Sequence, residues 1–115
     1  MSLDVDLLVT KPSSVFNYNI THNLGAMAKA VIINKEPELT LYDVLWRPDE
    51  HDMTFAHDIS DYLDVGYHML VNDPVKYKAL NPPNGWGSYE GLVAFVLSYR
   101  DACWENPFAE LSVSR

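Results

Sequence analysis

The chain has 115 residues, of which 48% are hydrophobic, 21% charged and 12% aromatic. One globular domain spanning residues 1–115 fits that length and composition; a disordered tail, a collagen-like repeat or a disulfide-rich miniprotein does not. Sixteen acids against eight Lys and Arg give a net charge of −8, which argues against a binder that tracks nucleic-acid phosphates.

The first element is a strand in which Val5, Leu7 and Val9 share one face and Leu8 takes the other. A second strand alternates Phe16, Tyr18 and Ile20 with Asn17 and Asn19. Thr21 or Asn23 then caps a helix from about Leu24 to Ile33, with Leu24, Met27, Ala28 and Val31 on one stripe. Thr40, with Asp43 three residues on, reads as a capping box opening a short helix. That helix stops by Arg47, because Pro48 disfavours the α conformation before it. A longer helix runs from about Ala56 to Val71, and Asp73-Pro74 starts a short one to about Leu80. Pro82-Pro83-Asn84-Gly85 is a loop. Ser88 caps the last helix, which ends near Trp104 before Asn106-Pro107. Leu111 and Val113 alternate with serines in a final strand.

Strands at the ends and helices in the middle, without strict alternation, predict an α+β fold. The expected arrangement is a small antiparallel sheet with the C-terminal strand beside an N-terminal one. Four to five helices complete the domain, and the last of them covers one face of the sheet. The single cysteine, Cys103, excludes an internal disulfide and a Cys-based zinc site. No apolar run approaches the roughly 18 residues of a membrane span, and no signal peptide is legible, so a cytoplasmic protein with no membrane association is expected.

Acidity is local. Between Asp43 and Asp64 stand seven acids and one base, Arg47, which is three quarters of the net charge. Apolar residues run throughout the segment, so it reads as a folded face. On the helix from Ala56, the residues His57, Asp61, Asp64 and His68 line one stripe, opposite Ile59, Tyr62, Leu63, Gly66, Met69 and Leu70. His57 and His68 stand about 16 Å apart along the axis, too far to share an ion. Charge pairs at i,i+4 are therefore expected there, and no metal site.

Four further features are candidates. Thr21-His22-Asn23 lies at a strand–helix junction, where His22 either exchanges a proton with a ligand or bonds a neighbouring carbonyl while Thr21 or Asn23 caps. Arg100 falls mid-arc on the apolar side of the last helix, beside Tyr89, Leu92, Val93, Val96, Tyr99 and Cys103. Its guanidinium reaches the edge, pairs with an acid, or holds an anion. Trp86, flanked by Gly85 and Gly87, either plugs the core or waits for a partner, and the plug is the expected reading. Cys103 is expected to be buried and inert. No acid pair, nucleophile–base set, phosphate-cradling glycine loop or Cys/His cluster emerges, so no catalytic residue and no cofactor is assigned.

Three stretches carry a resemblance: Asn19-Ile20-Thr21-His22-Asn23-Leu24, Leu45-Trp46-Arg47-Pro48, and Asn84-Gly85-Trp86-Gly87-Ser88-Tyr89-Glu90. Together they resemble a family of small uncharacterised bacterial and phage proteins, over most of the chain from about Phe16 onward. The resemblance implies a phage or mobile-element accessory role and supplies no activity.

The leading expectation is a non-enzymatic module that binds another protein, not nucleic acid, through an acidic or aromatic surface. The alternative is a small-ligand or enzymatic site at the strand–helix junction around His22 and Asn23, with Arg100. A third reading has the Asp43–Asp64 segment mimic nucleic acid and compete for a basic groove.

Overall fold

The computed structural model describes residues 2–10 and 13–115. Strands β1 (Ser2–Thr10) and β2 (Ser13–Thr21) form an antiparallel pair, and β5 (Glu110–Ser114) joins the other edge of β1, giving the order β2-β1-β5. Helix α5 (Tyr89–Glu105) lies across the inner face of this sheet, and α3 (Ala56–Asn72) packs against α5. The fold is α+β, as the distribution of elements predicts.

Pairing explains the inner face. Leu3 stands opposite Ile20, Val5 opposite Tyr18 and Val113, and Leu7 opposite Phe16 and Leu111. Alternation sends all of these to one side, where Phe16 stacks on Tyr99 at 5.5 Å and Tyr18 meets Phe95 at 5.3 Å. Leu3, Val5 and Leu7 are fully buried, each contributing about 1.5–3 kcal/mol. Val9, expected on this face, is exposed instead, because the β1–β2 register shifts between Leu7 and Thr10 and breaks the alternation. Leu3 takes its place in the core.

Just downstream of β2 the secondary structure departs from expectation. The predicted helix from Leu24 to Ile33 is a 3-10 turn (His22–Leu24) followed by a five-residue helix, α1 (Gly25–Lys29). The chain then enters a hairpin of β3 (Ile32–Lys35) and β4 (Glu38–Thr40). The run Val31-Ile32-Ile33 is β-branched, which costs a helix rotamer freedom and suits a strand.

Three of the remaining helices start where their caps predict. Thr40 and Asp43 exchange both bonds of a capping box at α2 (Leu41–Trp46). Asp73 accepts the Lys76 N–H to open α4 (Pro74–Lys78), and Ser88 accepts the Gly91 N–H to open α5. On α3, Ile59, Leu63, Gly66 and Leu70 are buried as the wheel requires, while Tyr62 is exposed. The α5 arc buries Leu92, Phe95, Val96, Tyr99 and Cys103, and the Tyr89 hydroxyl donates to the Leu70 carbonyl at 2.7 Å. No described helix is long and apolar enough to cross a membrane.

Candidate functional site

Trp86 is 70% exposed, which overturns the expectation of a core plug. Its loop is nevertheless held at several points. Asn84 Oδ1 accepts the Trp86 N–H at 3.0 Å, and Asn81 Oδ1 accepts the Tyr89 N–H at 2.8 Å. Gly87 adopts φ +103°, and a Cβ there would come within 2.7 Å of Thr21 Cγ2 and 3.0 Å of Leu24 Cγ. Only glycine allows both the conformation and so close an approach. The docking seats residue 87 against the end of β2 and leaves the indole outside.

Trp86 thus joins Ser2, Asn19, Thr21, Asn23 and Asn84 around a shallow depression of about 480 Å³. Ser2 pairs with Thr21 across β1–β2, and Asn19 shares the outer sheet face with Thr21 by alternation. Three of the five residues singled out from sequence (Thr21, Asn23 and Trp86) meet here. The other three lining residues, Ser2, Asn19 and Asn84, are not among the expected site residues; the asparagines alternating along β2 are the available signal for Asn19.

His22 goes elsewhere. Thr21 caps the 3-10 turn by accepting the Asn23 N–H at 3.3 Å, but among the described residues His22 bonds no neighbouring carbonyl. It lines a separate cleft with Lys29, Tyr42, Trp46, Arg47 and Arg115, and its Nε2 is buried without a hydrogen-bond partner.

Arg100 is committed to the α3–α5 seam. It is only 14% exposed at the side chain and bonds Asp64 Oδ1 and Asp101 Oδ1, each at 2.9 Å. Its guanidinium lies 4.4 Å from the Trp104 ring centre and 5.1 Å from that of Tyr67. Burial works against the charge, but the bonds to Asp101 and Asp64 outweigh it and raise the pKa. Of the readings open to Arg100, pairing with an acid is the one realised, and the cleft lined by His22 does not include it.

The acidic segment is largely spent on structure. Asp43 caps α2 and lies 3.6 Å from His51, Asp49 pairs with Arg115, and Glu50 pairs with Arg47. Asp58 accepts the N–H groups of Thr54 and Phe55, and Asp64 holds Arg100 while lying 3.4 Å from His68. Among the described residues this leaves only the Asp52 and Asp61 side chains without such a role. His57 lies 3.3 Å from Asp58 instead of pairing with Asp61, and stacks on Phe55. No three described His, Cys, Asp or Glu side chains gather as a metal site would require.

Cys103 is buried on α5, and burial pushes its thiol pKa up to about 12. A thiol so placed is inert. No family model matches the chain, and comparison with curated proteins and with solved structures gave no significant match.

Proposed function

We propose that the protein is a non-enzymatic binding module that grips a segment of another protein at Trp86. The observation carrying this reading is an indole held outside the core by a loop bonded at Asn81, Asn84 and Ser88. Holding it there in advance lowers the ordering cost of binding, and tryptophan is enriched among residues that dominate interface energies.

The chemistry around it favours a peptide partner. Ser2, Asn19, Thr21, Asn23 and Asn84 are neutral, and their amides and hydroxyls both donate and accept, as a peptide backbone does. Among the described residues no titratable group lines the depression, so it suits recognition better than acid–base chemistry. Alongside it, β2 is an edge strand whose Asn17, Tyr18 and Asn19 are all exposed. An extended segment adding to that edge would bring a side chain to the indole. The acidic alternative weakens because most of its carboxylates are already paired or capping. The neutral depression and the net charge of −8 favour protein over nucleic acid. A cytoplasmic setting, and a phage or mobile-element role drawn from the resemblance, complete the proposal.

The test is affinity capture from host lysate with wild-type and Trp86→Ala baits, read by mass spectrometry. The reading expects at least one protein enriched on wild type and lost on the variant. Equal capture of every protein by both baits would remove Trp86 from the function.

A further inference from the structure

We propose that the cleft between α1 and α2 binds the phosphoryl group of a small molecule. It is lined by His22, Gly25, Ala26, Lys29, Tyr42, Trp46, Arg47 and Arg115, and holds about 460 Å³, a volume usual for small-molecule sites. The chain has eight Lys and Arg in all, and three of them meet here with no acidic side chain among the described residues of the lining. In a protein of net charge −8, dispersing the bases would serve solubility better than gathering them.

The cations differ in how they are held. Arg47 bonds Glu50 at 3.0 Å, and Arg115 bonds Asp49 at 2.7 Å and the Trp46 carbonyl at 3.0 Å. Neither carboxylate lines the cleft. A guanidinium has five N–H donors, so each arginine keeps donors free while its partner restrains it. Lys29 has no carboxylate partner among the described residues; its ammonium lies 4.5 Å from the Tyr42 ring centre. Tyr42 in turn stacks on the buried Trp46 at 5.1 Å, which makes that wall stiff.

His22 adds a donor. Its Nε2 is buried and unpartnered, and an unpaired buried N–H is costly. A carboxylate is satisfied by one guanidinium fork, whereas a phosphoryl dianion has three terminal oxygens to cover. Three cations and a hydroxyl suit the dianion.

The experiment is a titration of isotope-labelled protein followed by amide NMR at constant ionic strength. Inorganic phosphate and glycerol 3-phosphate form two arms, with acetate as the control anion. Both phosphates should shift Gly25, Ala26 and Lys29 saturably, and acetate should not. Tighter binding of glycerol 3-phosphate identifies a phosphomonoester as the ligand class; equal binding identifies free phosphate. Lys29→Met and Arg47→Gln should each weaken binding by about tenfold or more, and either variant suffices if the other misfolds. Trp86→Ala should leave the titration unchanged, which separates failure of this site from failure of the peptide reading. No saturable shift, an equal response to acetate, or undiminished binding by the cleft variants would overturn the proposal.

Discussion

Gly87 and Thr21 touch across the point where the α5 loop meets the end of β2: a Cβ on residue 87 would lie 2.7 Å from Thr21 Cγ2. That approach sets where the indole next to it goes. Gly87→Ala should therefore cost about 1–3 kcal/mol, from both the left-handed backbone and the clash. Gly85 also has positive φ but meets nothing within 4 Å, so Gly85→Ala should cost only the conformational part, about 1–2 kcal/mol. Urea denaturation of the two variants measures the difference.

Asp58 supports the start of α3, where Phe55 has no side-chain oxygen to offer as a cap. Its carboxylate accepts the N–H groups of Phe55 at 2.8 Å and Thr54 at 3.0 Å, bonds that hold its pKa below the usual carboxylate range. With the folded value lowered, its contribution is complete above the unfolded value near about 4 and disappears as pH falls through the folded one. Asp58→Ala should cost about 1 kcal/mol at pH 7 and flatten the acid limb of the stability–pH curve. Denaturation midpoints across pH 2–7 check both, and an unchanged acid limb would contradict the assignment.

Arg100 bridges two helices through Asp64 and lies between two aromatic rings. Arg100→Ala should destabilise by about 1–2 kcal/mol, through lost stacking as much as lost charge. A double-mutant cycle with Asp64→Ala should return a coupling of about 1 kcal/mol. Phosphate and partner binding should persist in the folded variant. Loss of either would return Arg100 to a site.

Cys103 should stay unmodified by a thiol reagent at pH 8 in the native protein and react fully once unfolded. Burial removes access and pushes the pKa to about 12. The kinetics of labelling with and without denaturant report this directly, and fast native labelling would place the thiol nearer the surface.

Local rules made most of the fold legible. Thr40–Asp43, Asp73-Pro74 and Ser88 each offer a side-chain oxygen to nearby N–H groups, a relation contained within three residues. The hairpin at Ile32–Thr40 was not legible, because a short apolar run at helical spacing looks the same in either state. The site was split for a different reason. Whether Trp86 is covered depends on Gly87 meeting Thr21, a contact between segments far apart in the chain. Likewise Arg115 reaches the Trp46 carbonyl across 69 residues, so no window of sequence contains that cleft.

The claim that the indole is presented to a partner, and is not part of the core, is tested most directly by equilibrium urea denaturation of Trp86→Ala. An exposed side chain leaves no cavity when removed, so the variant should unfold within about 0.5 kcal/mol of wild type. A loss of about 3–5 kcal/mol, the usual cost of deleting a buried tryptophan, would contradict the account and return Trp86 to the core.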